Sequence, residues 1–229
     1  MSLTALRPPS DLIDRVRERL LAAVIDGTLA PGERLTQESV AEKLGVSRQP
    51  VSHALQVLKS RGLLVEAGKR GLVVAPIDAK RIRDLYQVRE ALETLAAGLA
   101  AERVRDATAS PAEVKQAKDA LAQGRKLESS VTIGKLVEAD VAFHAALYRL
   151  SGNPAIAETI TEAWPHFMRS MSLVLSASDM RKRVWREHAQ ILDAILAGNA
   201  ADAQSRARMH TNRAGEETAR RLQAQRSVA

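Results

Sequence analysis

The chain has 229 residues, of which 45% are hydrophobic and 27% are charged, so it can form one or two globular domains with a proper core. It contains no cysteine, which excludes disulfide bonds, thiolate metal sites and a cysteine nucleophile. Lysine and arginine exceed aspartate and glutamate by 34 to 27, and this net charge of +7 favours anionic partners.

Two further features of the composition narrow the fold class. Aromatic residues make up only 3% of the chain, which suits helices rich in alanine and leucine better than a β-sandwich. No apolar run approaches the roughly 18 residues that cross a bilayer, and the first residues lack a signal-peptide pattern. We therefore expect a mainly α, cytoplasmic protein with no membrane partner.

Residues 1–75 are predicted to form a winged helix-turn-helix domain. Ser10, Thr36 and Ser47 are candidate N-caps, and Gly45 is a natural residue to end the second helix. The predicted elements, in order, are helices over about 10–26, 36–44 and 47–61 and short strands over 63–65 and 72–75. A glycine-rich hairpin tip lies between the two strands. This order of elements is that of a winged helix-turn-helix.

A short linker at residues 76–79 precedes a region, 80–229, with an almost unbroken helical pattern. Its first helix has leucine or valine at steps of three and four, at positions 85, 88, 92, 95 and 99. Ser110-Pro111-Ala112-Glu113 is a capping box with proline in the first turn, which predicts the start of the second helix. Later helices are predicted from about Thr132, Asn153, Asp179 and Asn199. Residues 80–229 are thus predicted to be an all-α bundle of six helices, the fourth disturbed near Trp164-Pro165.

Basic charge is concentrated on the third helix and the hairpin tip. Between positions 43 and 71 there are six basic residues and a single acidic one. A recognition helix contacts base edges with its first turns, and a wing contacts phosphates. An isolated basic run is more often a solvated helix face, but here it coincides with a helix-turn-helix pattern, which favours DNA. The predicted DNA-binding residues are Ser47, Arg48, Gln49, Ser52, His53, Lys69 and Arg70.

The same segment resembles the N-terminal domain of GntR-type bacterial transcription regulators over most of residues 11–75. The resemblance lies in Pro31-Gly32-Glu33-Arg34-Leu35, Val40-Ala41-Glu42-Lys43-Leu44-Gly45-Val46-Ser47-Arg48, Pro50-Val51, Ala54-Leu55 and Gly62-Leu63-Leu64. Ser52-His53 stands where the family commonly has arginine followed by an acid. The resemblance implies a winged helix fold and binding to a double-stranded DNA operator.

The helical region contains three histidines and an aspartate that could converge on one metal ion. Asp140 and His144 are four residues apart and share one face of the predicted third helix with apolar residues. His188 and His210 lie on the apolar or small-residue faces of two later helices. These four side chains could converge on one divalent ion such as Zn²⁺ or Ni²⁺. The alternative is three satisfied core histidines and a capped or salt-bridged aspartate.

A second resemblance, over residues 80–215, is to the FCD domain, the ligand-sensing domain of the FadR branch of GntR-type regulators. It lies in Glu138-Ala139-Asp140-Val141-Ala142-Phe143-His144-Ala145-Ala146-Leu147-Tyr148, Ser151-Gly152-Asn153-Pro154, Glu187-His188 and His210. In the metal-binding members of that family, the positions of Asp140, His144, His188 and His210 are the metal ligands. Six predicted helices resemble the smaller, VanR-like subgroup.

Arg89 is a candidate effector-binding residue on the first long helix of this region. One interpretation is a helical salt bridge to Glu93, worth only about 0.3–0.5 kcal/mol at a surface. The resemblance implies instead that Arg89 pairs with the carboxylate of a small organic-acid effector, for which a guanidinium offers both charge and two parallel donors.

The sequence thus predicts a homodimeric, DNA-binding transcriptional regulator, a repressor, that responds to a small carboxylate through a metal site. Two alternatives remain open at this stage. One is a metal-dependent enzyme in which the ion activates water, although no general base is evident beside the four ligands. The other is a DNA-binding protein whose metal is purely structural.

Overall fold

The computed structural model describes residues 11–68, 71–127 and 131–226, with side chains described as far as position 224. The chain divides into two compact units, Met1–Pro76 and Ile77–Ala229. Within the described ranges, none of the helices combines the length and the apolar character needed to cross a membrane.

The described part of the first unit contains three helices and a small antiparallel sheet. In chain order its elements are α1 (Asp11–Asp26), β1 (Arg34–Leu35), α2 (Gln37–Leu44), α3 (Arg48–Ser60), β2 (Leu64–Glu66) and β3 (Leu72–Val74). The strand order is β1-β3-β2, with Val65 opposite Val73 in the hairpin. The predicted helices and hairpin are confirmed, and the sequence analysis missed only the two-residue β1.

Local signals explain where these helices begin and end. The Thr36 side chain accepts a hydrogen bond from the Ser39 backbone amide at the start of α2. Gly45, at φ 64°, ends that helix in a left-handed conformation that favours glycine. Ser47 is the residue before α3, but its side chain makes no capping hydrogen bond. Ser10, the predicted cap of α1, lies outside the described residues.

The second unit is helical throughout its described part. Its elements are α4 (Ala79–Arg105), α5 (Pro111–Lys126), α6 (Ile133–Leu150), α7 (Pro154–Thr161), α8 (Trp164–Leu175), α9 (Ser178–Leu196) and α10 (Ala200–Arg226). The capping box at the start of α5 forms as predicted, with Ser110 and Glu113 each bonding to the backbone of the other.

The described part of this unit has seven helices rather than the six predicted. The predicted fourth helix is divided into α7 and α8 at Glu162 and Ala163. Pro165 causes the break, because in a continuous helix its ring would clash with the carbonyl of Thr161 and its nitrogen has no proton to donate. The resemblance to the VanR-like subgroup was based on a count of six helices, and a count of seven does not support it.

The face of α4 that packs into the unit differs from the leucine stripe seen in the sequence. Val88 and Leu95 of that stripe are 54% and 44% exposed, whereas Arg89 and Glu93 are buried. Small side chains bring α10 against α4: Ala96, Ala97 and Ala100 on α4 and Ala203 and Ala207 on α10 are all buried. Two polar residues are therefore enclosed where α4 faces the rest of the bundle.

A close contact between α5 and α9 gives a test of this packing. A methyl group at Gly124 would overlap the buried Trp185 ring, whereas one at Gly134 would meet open space. We expect Gly124→Ala to lower the free energy of unfolding by about 1–3 kcal/mol through overpacking. Gly134→Ala, the matched control in α6, should raise it by about 0.5 kcal/mol because alanine is a better helix former. Urea denaturation measures both, and equal effects would contradict the packing described.

Candidate metal centre and DNA interface

Helices α6, α9 and α10 bring three buried histidines together. His144, His188 and His210 are 0%, 0% and 4% exposed, and each offers a ring nitrogen within 4.8 Å of the others. The Nε2 atoms of His188 and His210 are 3.2 Å apart. The ring of His188 also stacks on Phe143 with 4.1 Å between centroids, which holds it in place.

Asp140 stands beside two of these histidines. Its carboxylate oxygens lie 3.5 Å from His144 Nε2 and 3.7 Å from His188 Nε2. Ligand atoms bound at 2.0–2.2 Å in a tetrahedral zinc site are about 3.3 Å from one another. The spacing of these donors therefore fits one divalent ion. His210 joins the set because its Nε2 lies beside that of His188.

The protonation of the histidines also suits a cation. Burial lowers the pKa of His144, and burial together with the neighbouring histidines lowers the pKa of His188 well below its ordinary value. A lowered pKa favours the neutral ring, which is the form that binds metal. His144 Nε2 is buried without a hydrogen-bond partner in the structure. A cation in this position would satisfy that nitrogen.

Two glutamates lie beside the Nδ1 atoms of His210 and His144. The sequence analysis did not assign either of them to the metal site. His210 Nδ1 lies 2.9 Å from Glu187 Oε2, and Glu187 also pairs with Arg213. His144 Nδ1 lies 3.0 Å from Glu93 Oε2, although the two groups are not aligned as a hydrogen bond. Such carboxylates orient metal-binding imidazoles. Neither role follows from the sequence, because both depend on contacts between different helices.

Arg89 lies beside this cluster and does pair with Glu93. Its Nε donates to Glu93 Oε1 at 2.7 Å, and the guanidinium carbon is 5.2 Å from the ring centroids of both Trp164 and Phe167. Burial opposes the charge on both groups, but their mutual attraction prevails and raises the pKa of Arg89 while lowering that of Glu93. Arg89 is thus a buried cation, which differs from the surface salt bridge considered above.

A small cavity connects Arg89 with the candidate metal ligands. It has a volume of about 20 Å³, enough for roughly one water molecule. Arg89, Asp140 and His210 supply its polar wall. The remaining lining is contributed by Tyr86 of α4 and by apolar residues of α8, α9 and α10, namely Met171, Val174, Leu175, Val184 and Ala214.

In the first unit, the predicted base-reading residues lie on the outer face of α3. Ser47, Arg48, Gln49 and His53 are exposed and Ser52 is half-buried, while Val51, Ala54, Leu55 and Leu58 face the core. Beside them, a groove of about 640 Å³ runs between α2, α3 and the hairpin. Lys69 and Arg70, predicted at the hairpin tip, lie outside the described residues.

An ion pair that the sequence analysis did not anticipate lies on this face. Arg48 Nη2 donates to Glu38 Oε1 at 2.5 Å, and both side chains are exposed. Nearby, Gln37 Nε2 donates to Ser52 Oγ across the helix-turn-helix. Arg48 is thus paired with Glu38 of α2 and remains open to solvent.

Comparison with known families agrees with both units. Residues 12–74 match the family model "Bacterial regulatory proteins, gntR family", and residues 84–213 match the FCD domain. The chain belongs to the GntR-type transcriptional regulators with an FCD domain.

Individual relatives of this GntR-type regulator support the assignment. It is 32% identical to an HTH-type transcriptional regulator in an unstable DNA locus of Streptomyces ambofaciens, over 84% of this chain and 78% of that one. It is 28% identical to the HTH-type transcriptional regulator LutR of Bacillus subtilis, over 79% and 89%. A solved GntR regulator from Rhodococcus sp. RHA1 superposes with a TM-score of 0.75 at 27% identity, covering 91% and 98% of the two chains. Because the protein is such a regulator, it is not an enzyme. The alternative of a metal-dependent enzyme that activates water is therefore excluded.

Proposed function

We propose that this GntR-type regulator senses a small carboxylate at a divalent metal site in its FCD domain and releases operator DNA in response. The metal ligands would be Asp140, His144, His188 and His210, with Zn²⁺ or Ni²⁺ as the ion. The convergence of three buried histidines beside a carboxylate is the observation that carries this proposal.

The site has the charge and the donors that an anion requires. When bound, the ion would supply a Lewis-acid centre for carboxylate oxygens. Arg89 faces the same small cavity and offers guanidinium N–H groups, the preferred partners of a carboxylate. Glu93 neutralises the charge of Arg89, and a divalent ion beside Asp140 leaves a net charge of about +1. An anion bound between the ion and Arg89 would therefore be attracted by that charge.

The size of the cavity links effector binding to a change in structure. A space for about one water molecule cannot hold an organic acid, so the effector must displace side chains on its apolar wall. Met171 on α8 and Val184 on α9 belong to that wall. An effector that binds only the expanded arrangement would shift the protein toward it, which is the requirement for a change in DNA affinity.

We further propose that the regulator acts as a homodimeric repressor. Val88 and Leu95, two turns apart on α4, leave apolar side chains exposed, and a second subunit on this face would bury them. A two-fold dimer would present two copies of α3 to a near-palindromic operator. Release of operator DNA on addition of the effector would mark a repressor.

A thermal-shift screen against small carboxylates, with and without a chelator, tests the sensor. A ligand at 100 times its Kd adds about 2.7 kcal/mol of stability, a rise in Tm of roughly 5–10 °C for a chain of this size. We expect one class of acids to give such a rise, and the chelator to abolish it.

Arg89→Lys is the matched variant for this screen, because it keeps the buried charge opposite Glu93 but removes the guanidinium fork. It should keep its metal and lose most of the rise caused by the acid. If metal removal alone lowered Tm and no acid raised it, the metal would be purely structural and the sensor proposal would be wrong.

A further inference from the structure

Glu93 is the most highly connected polar residue described near the candidate site. Its carboxylate is 4% exposed and meets groups from three helices. Oε1 accepts hydrogen bonds from Arg89 Nε at 2.7 Å and from the Tyr148 hydroxyl at 2.9 Å. Oε2 accepts one from the Thr211 hydroxyl at 3.4 Å and lies 3.0 Å from His144 Nδ1. One carboxylate is therefore shared between a candidate metal ligand and the candidate effector-binding arginine.

This sharing has a consequence for each partner. An imidazole binds a metal through one nitrogen when the other carries a proton, and an acidic neighbour selects that tautomer. Glu93 faces Nδ1 of His144, which leaves Nε2 to point toward Asp140. On its other side, Glu93 compensates the charge of Arg89, which would otherwise lie buried and uncompensated close to a divalent cation.

We propose that Glu93 is a positioning residue that serves the metal and the effector arginine together. It orients His144 for the ion and keeps the charge of Arg89 from repelling that ion. This inference rests on the metal site of the proposed function. A carboxylate that only stabilised the fold would affect stability and leave metal affinity unchanged.

Glu187 provides a matched comparison within the same chain. Its Oε2 lies 2.9 Å from His210 Nδ1 in hydrogen-bond geometry, whereas Glu93 Oε2 lies 3.0 Å from His144 Nδ1 without that alignment. Its cationic partners, however, are Arg213 and Arg183, whose side chains are 45% and 32% exposed. Glu187 is thus expected to orient a ligand without shielding the ion from a buried cation.

The test is a zinc titration of metal-free protein in competition with a chromophoric chelator. Glu93→Gln and Glu187→Gln should each weaken zinc binding by about 10–100-fold, the usual effect of losing an outer partner of a ligand. Adding Arg89→Met should recover at least about threefold of the affinity lost in Glu93→Gln, because it removes the uncompensated cation.

The outcomes separate the two proposals. Wild-type protein that fails to bind zinc would overturn the proposed function and this inference with it. Zinc binding that is normal in wild type and unchanged in Glu93→Gln would overturn the role of Glu93 alone. No recovery on adding Arg89→Met to Glu93→Gln would overturn the shielding of Arg89.

If Glu93→Gln does not fold, the double variant keeps the inference testable. Removing both members of a buried ion pair is tolerated better than removing one. Arg89→Met with Glu93→Gln should then bind zinc about tenfold or more weakly than Arg89→Met alone, because His144 is no longer oriented. Equal affinities would overturn the inference.

Discussion

Replacing His188 with alanine is expected to remove the metal from the protein. Its Nε2 lies 3.2 Å from that of His210 and 3.7 Å from Asp140, so it is the donor that joins the two sides of the cluster. Losing a ligand should cost more than the about 10–100-fold in affinity that an outer partner contributes. Elemental analysis of dialysed protein should show close to one metal per chain in wild type and little in His188→Ala.

His53→Ala is the control for this experiment, because His53 is exposed on α3 in the other unit. It should retain the metal of the wild type. Thermal melts in chelator separate ligand loss from packing loss, since His188 is also stacked on Phe143. Unchanged metal content in a folded His188→Ala protein would contradict the site, and three satisfied core histidines would become the better description.

Arg48→Ala is expected to weaken operator binding and to make it less selective. Arg48 is exposed at the start of α3, where a recognition helix contacts bases, and Glu38 holds it from α2. If Arg48 reads a guanine with two hydrogen bonds, its loss costs about 1–3 kcal/mol for the preferred sequence. Sites selected by the wild-type protein from a random DNA library supply the operator for fluorescence anisotropy.

The control is Arg105→Ala, which removes one exposed positive charge from the helical unit. It should leave sequence preference unchanged, and wild-type binding should weaken steeply with added salt. A uniform loss across all sequences in Arg48→Ala, with a shallower salt dependence, would assign Arg48 to a phosphate instead. Equal behaviour of the two variants would remove Arg48 from the DNA interface.

Features that depend on neighbours in sequence were determined by the sequence alone. Thr36 and Gly45 mark the ends of α2, and the Ser110 capping box marks the start of α5, because capping involves residues within one turn. Asp140 and His144 share a face because they are four residues apart in α6. The winged helix, the helical second unit and the metal-ligand candidates could therefore be predicted.

The break between α7 and α8 could be predicted only in part from neighbouring residues in the sequence. Pro165 was recognised as a disturbance, but whether a helix bends or ends at a proline depends on what packs around it. Here α7 ends at Thr161 and α8 begins at Trp164. Trp164 then lies near Arg89, which belongs to a helix more than 50 residues away.

Only the tertiary structure decided which groups meet at the site. The leucine stripe of α4 suggested one buried face, whereas packing against α6, α8 and α10 encloses Arg89 and Glu93 and leaves Val88 exposed. Close approach of two helices through alanines is a property of the pair, so periodicity in either helix cannot reveal it. For the same reason the sequence could nominate His188 and His210 as ligands, while their 3.2 Å contact and the shared carboxylate of Glu93 required the fold.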